Sequence, residues 1–107
     1  NLNFIMKTFC IDIDGTICSI STEDYSLAEP YKERIRQINE LYDNGNEIVV
    51  FTARGSKTGI DHRKLTEQQL QSWGLKYHNL LFHKPFADYY IDDKSIDFFG
   101  WFKQGCD

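Results

Sequence analysis

Hydrophobic positions along this chain fall into short runs of β-forming residues separated by stretches with helical spacing. Thr8-Phe9-Cys10-Ile11-Asp12-Ile13 is one such run, closed by the turn signal Asp14-Gly15-Thr16. A run apolar on both faces predicts a strand buried inside a parallel sheet. The polar residues 19–26 predict a short flap or loop. Pro30 then suits the first turn of a helix, Ile35, Ile38, Leu41 and Tyr42 recur at helical spacing, and Gly45 fits the cap. Glu47 to Phe51 reads as a second buried strand, ending at Thr52-Ala53-Arg54-Gly55. A second helix is predicted over residues 61–73, with Leu65, Gln69, Leu70 and Trp73 on one side and Gly74 as its stop. Asn79-Leu80-Leu81-Phe82 and Tyr89-Tyr90-Ile91 supply a third and a fourth strand, closed by Pro85 and by Asp92-Asp93. Ser95 is predicted to cap a last helix, whose Ile96, Phe99 and Phe102 would face inward.

Strands alternating with helices predict an α/β fold with a small parallel sheet, right-handed crossovers and ligands bound beyond the carboxyl ends of the strands. Residues 6–107 read as one domain, and residues 1–5, ahead of Met6-Lys7-Thr8, as an extension or cloning scar. A composition of 41% hydrophobic, 15% aromatic and 26% charged residues excludes a disordered chain, a collagen-like repeat and a coiled coil. The longest aliphatic run, Ile48-Val49-Val50-Phe51, falls far short of the ~20 residues that span a bilayer, so no membrane partner is expected. Twelve basic against 16 acidic residues give a net charge of -4, a field that repels phosphate backbones and disfavours nucleic acid. Cys10, Cys18 and Cys106 are an odd count without a CxxC pair, and no signal peptide opens the chain. Free thiols in a reducing cytoplasm are the expectation.

The unusual polar clusters all sit at predicted strand ends: Asp12-Ile13-Asp14-Gly15-Thr16, Thr52, Lys84 and Asp92-Asp93. Asp12 and Asp14, two apart, can project the same way from an extended strand end. With Asp92 and Asp93 the mouth gathers up to four carboxylates, whose repulsion a hard divalent cation such as Mg²⁺ relieves. Lys84 and the Thr52 hydroxyl then offer a dianionic phosphoryl group a point charge and a hydrogen-bond donor. An aspartate held in line with such a group can form an acyl phosphate, and a second carboxylate can protonate the leaving oxygen and later activate water.

These four ordered clusters resemble the motifs of the haloacid dehalogenase superfamily over nearly the whole chain, from Lys7 to Phe102. The resemblance implies a three-layer Rossmann-like core. It implies Asp12 as nucleophile and Asp14 as general acid/base. Mg²⁺ would be held by the Asp12 carboxylate, the Asp14 backbone carbonyl and one of Asp92 and Asp93, with Asp93 favoured as the direct ligand. Thr52 and Lys84 would hold phosphoryl oxygens, Gly15 would allow the turn that aims the amides around Thr16 at phosphate, and Ala53 and Arg54 would complete the phosphate-binding set. One helix between each pair of motifs implies that no cap domain is present. Lys84-Pro85, Tyr89 to Ile96 and Thr52-Ala53-Arg54 are further similar to the small capsule-biosynthesis phosphatases, which implies a sugar phosphate feeding polysaccharide assembly.

The expected activity is therefore a cytoplasmic, Mg²⁺-dependent phosphomonoesterase acting through an aspartyl-phosphate. A nucleotide or nucleic-acid-end phosphatase and a non-catalytic module that binds a phosphorylated ligand are the alternatives. Asp12-Ile13-Asp14-Gly15 could also start a calcium loop, but Ile17 occupies the position where that turn wants glycine. Arg54 has two readings, a substrate contact or a structural ion pair. His62, His78 and His83 lack metal-ligand spacing, and the aromatic group Phe98, Phe99, Trp101 and Phe102 reads as core or as a homo-oligomer patch.

Overall fold

The computed structural model describes residues 6–21, 24–83 and 87–91. Its strands are β1 (Thr8–Asp12), β2 (Glu47–Phe51), β3 (Asn79–Leu81) and β4 (Tyr89–Ile91), and its helices α1 (Lys32–Asp43) and α2 (Arg63–Ser72). The four strands form one sheet in the order β3-β2-β1-β4, and every pairing is parallel. This is the expected Rossmann-like α/β arrangement.

Register decides which side chains meet the helices. Ile11 lies opposite Val50 and Ile91, and Val50 opposite Leu80, so these four share one face of the pleat. Ile35 and Ile38 of α1, Leu70 of α2 and Leu75 pack against that face. Both connections, β1 to β2 and β2 to β3, step the same way across the sheet, and right-handed crossovers then put both helices on one side. Ile11, Ile38, Ile48, Val50 and Leu70 are fully buried, each burial contributing about 1.5–3 kcal/mol relative to exposure. The opposite face carries Cys10 and Val49, covered in part by Ala87 and flanked by Phe51, Leu81 and Tyr90. The helix expected after Ser95, which would make the third layer, lies outside the described residues.

Element ends differ from the sequence pattern in ways the backbone explains. Pro30 does not open α1; it forms an antiparallel bridge with Cys18. The bridge is closed by its neighbours, Ser19 N–H to Glu29 O at 2.8 Å and Tyr31 N–H to Ile17 O at 2.8 Å, so the missing proline N–H costs nothing there. α2 is shorter than the pattern suggests because the Asp61 carboxylate accepts the Arg63 amide at 2.9 Å and starts the helix at that residue. No helix among the described residues is long and apolar enough to cross a membrane.

Candidate active site

All strands being parallel, the tips of β1 and β2 open on the same edge of the sheet. Just beyond β1 the chain curls around one carbonyl: Ile13 O accepts the amides of Thr16 at 3.2 Å, Ile17 at 2.9 Å and Cys18 at 3.3 Å. Gly15 makes this curl possible with φ +87°, and its own amide goes to Cys18 O at 2.8 Å. The Gly15 and Thr16 amides, expected to face a phosphate, are thus used inside the turn. The Thr16 side chain is fully buried, and its hydroxyl has no partner among the described residues.

The curl leaves Asp12 and Asp14 lining one cleft of about 640 Å³. Asp12 is half-buried, and one of its oxygens accepts the Ile13 amide at 2.9 Å. Asp14 is held more elaborately. Its Oδ1 receives Arg54 Nη2 at 2.8 Å, and its Oδ2 receives Arg54 Nε at 3.0 Å and the Thr52 hydroxyl at 3.1 Å. Thr52 is buried, and its hydroxyl also accepts the Arg54 amide at 3.1 Å. The hydroxyl expected on a phosphoryl oxygen therefore braces the second aspartate here.

Of the two readings of Arg54, the structure displays the ion pair. The Arg54 side chain is 0% exposed while its partner Asp14 is 21% exposed, so the pair points its acid and not its base toward the cleft. Arg54 Nη1 donates to Gln69 Oε1 at 2.6 Å and to Thr66 Oγ1 at 3.1 Å, both on α2. The guanidinium stacks on the ring of Tyr25 with 4.7 Å to its centroid. Cys18 Sγ lies 3.8 Å from Asp14 Oδ1 and 4.0 Å from Arg54 Nη2. Burial first, then the Asp14 charge, push its pKa up to about 12 against the pull of Arg54, which keeps it an unreactive thiol.

Two loops wall the cleft. On one side the flap between Cys18 and Pro30 contributes Ile20, Asp24 and Tyr25. Its 3-10 turn, Tyr25–Leu27, is capped by Asp24, whose carboxyl is held below the usual range by the Ser26 hydroxyl and amide. Gln69 Nε2 donates to Tyr25 O at 2.6 Å and ties the flap to α2. On the other side the loop after Arg54 contributes Lys57 and Ile60, while Ala53 stands exposed on the rim. Gly55 shapes that loop: at φ +84° a Cβ would lie 2.1 Å from the Ile60 carbonyl oxygen.

Asp12, Asp14, Ala53 and Arg54 therefore line one cleft, with Thr52 directly beneath Asp14. Lys84, Asp92 and Asp93 lie outside the described residues, and among the described residues no group of three or more His, Cys, Asp or Glu could hold a metal ion. Tyr25, Thr66 and Gln69 were not singled out by sequence reasoning as site residues. The one available signal was Gln69, a polar residue on the apolar side of its helix.

The chain is similar to a protein of known crystal structure from Vibrio cholerae, with 29% identity, a TM-score of 0.70, and coverage of 91% of this chain and 88% of that one. A conserved protein from Bacteroides thetaiotaomicron shares the fold at 18% identity and a TM-score of 0.64, over 86% of this chain and 79% of the other. No protein-family model matches the chain, and no curated protein matches it in sequence.

Proposed function

We infer that this chain is a phosphomonoester hydrolase of the haloacid dehalogenase type, acting through an aspartyl-phosphate on a small phosphorylated molecule. The observation that carries the reading is the pairing of Asp12 and Asp14 in one cleft at the carboxyl edge of a parallel sheet. Both carboxylates line the cleft; one Asp12 oxygen accepts the Ile13 amide, and Asp14 is held in orientation by Arg54 and Thr52.

The chemistry assigns one step to each. An Asp12 oxygen attacks phosphorus as the bond from phosphorus to the leaving oxygen breaks, and Asp14 delivers a proton to that oxygen. Water then attacks phosphorus, Asp14 takes its proton, and the bond between phosphorus and the Asp12 oxygen breaks to release phosphate. Mg²⁺ would neutralise phosphoryl charge in this mouth. Asp12 is a hard oxygen donor suited to it, and the Asp14 backbone carbonyl, Asp92 and Asp93 are the further ligands that the motif likeness proposes. Lys84 is proposed on the phosphoryl group, where the Thr52 hydroxyl could join it only by leaving Asp14. A sugar phosphate is the proposed substrate, on the similarity of residues 84–96 to capsule-biosynthesis phosphatases.

Release of inorganic phosphate from p-nitrophenyl phosphate and from a panel of sugar phosphates and nucleotides, with and without Mg²⁺, tests the proposal. Turnover should require Mg²⁺ and should vanish in Asp12→Asn. An Asp12→Asn protein that still turns over overturns the nucleophile assignment. Binding of phosphorylated ligands without release would favour the non-catalytic reading.

A further inference from the structure

The Arg54 guanidinium has five N–H donors, and protein acceptors meet all of them. Nε and one Nη2 proton go to Asp14, the other Nη2 proton faces Cys18 Sγ, and the Nη1 protons go to Thr66 and Gln69. A lysine could not reproduce this planar set. Gln69 faces both ways, since its Oε1 accepts from Arg54 at 2.6 Å while its Nε2 donates to Tyr25 O at 2.6 Å. The Tyr25 ring then lies over the guanidinium at 4.7 Å and edge-on to His62 at 4.8 Å. No direct bond joins Tyr25 to Asp14. Arg54 and Gln69 are what connect them.

We propose that Arg54 is a positioning residue that couples the seat of the flap, at Ser19, Tyr25 and Tyr31, to the orientation of the Asp14 carboxylate. The role of Asp14 as acid/base rests on the function proposed above; the coupling itself does not. A buried planar cation with every donor satisfied has one low-energy placement, so moving either the Tyr25 ring or the Gln69 side chain shifts the donors that aim Asp14. Coupling of this kind is reciprocal, and a change at Asp14 must equally be felt in the flap. The flap that walls the cleft thereby reports its position to the acid beneath it.

Hydrogen exchange on the full chain reads the coupling without any substrate. The protected amides of Ser19 and Tyr31 close the flap base, and those of Ile38 and Leu41 in α1 serve as controls for global opening. Asp14→Asn and Gln69→Leu should each speed exchange at Ser19 and Tyr31 about tenfold, with the α1 amides slower to respond. A second measurement splits kcat from KM on p-nitrophenyl phosphate. Gln69→Leu should lower kcat, and Gln69→Glu, which keeps the acceptor for Arg54 but loses the donor to Tyr25, should speed flap exchange and lower kcat as well, with KM little changed. Unchanged flap exchange in Asp14→Asn overturns the proposal, as does a Gln69→Glu enzyme whose flap exchanges fast while kcat stays at the wild-type value. A wild-type chain that releases no phosphate would refute the hydrolase reading, and the exchange comparison would still decide the coupling.

Discussion

Arg54 and Asp14 stand forty positions apart in the chain, yet Nη2 and Oδ1 lie 2.8 Å apart, the cation fully buried and the acid at the edge of solvent. Breaking such a pair is asymmetric, because water can reach the acid but not the base. Asp14→Ala should therefore leave an uncompensated buried charge and cost about 3–5 kcal/mol. Asp14→Asn keeps an acceptor oxygen and should lose clearly less. Urea midpoints of the two variants decide this, and an Asp14→Ala midpoint equal to the wild type would refute it.

The same Asp14→Asn change carries a catalytic prediction. Without a proton to give and take, turnover should fall by about 10²–10⁴-fold, the usual range for a general acid/base. Rapid-quench detection should show slow phosphoryl-enzyme formation, with hydrolysis impaired. Wild-type turnover in Asp14→Asn would remove this residue from the chemistry.

Alkaline pH should weaken the fold through Cys18. Its pKa is about 12 in the folded chain against an ordinary 9.0, so the fold prefers the neutral thiol. That stability is complete below pH 9 and is lost as pH rises toward 12, with a slope of up to about 1.4 kcal/mol per pH unit. Tyr77, also raised by burial, acts in the same sense. Cys18→Ala should flatten the decline in urea midpoint between pH 8 and pH 10.5, and an unaltered slope would contradict the assignment. At pH 8 the native Cys18 should resist iodoacetamide and react only on unfolding.

Two glycines with nearly the same backbone angle should respond differently to alanine. Gly55 and Gly59 have φ +84° and +76°, and both pay for a left-handed alanine, roughly 1–2 kcal/mol. A Cβ at Gly59 meets nothing within 4 Å, whereas at Gly55 it would sit 2.1 Å from a backbone oxygen. Gly55→Ala should be the more destabilising of the two by thermal melting, and should also distort the cleft wall. Equal losses would show that the wall loop yields freely.

Much of the fold was legible from local pattern. The apolar run through Cys10 and Ile11 marked β1 because both of its faces are buried, and Leu65, Gln69 and Leu70 marked one side of α2. Pro30 misled because proline fits a helix start and an unpaired bridge position equally well, and only its pairing with Cys18 separates the two. Asp12 and Asp14 were visible as acids at a strand tip, while the partners of Thr52 and Arg54 were not.

Hydrophobic alternation and turn chemistry act between residues a few positions apart, and from the amino-acid order alone they suffice for strands, helices and the edge where the acids gather. Whether Arg54 faces a ligand or Asp14 depends on groups 12 to 40 residues distant. Coulombic and hydrogen-bond energies fall off over ångströms of space and take no account of chain distance, so that choice belonged to the folded arrangement of β1, β2, α2 and the flap.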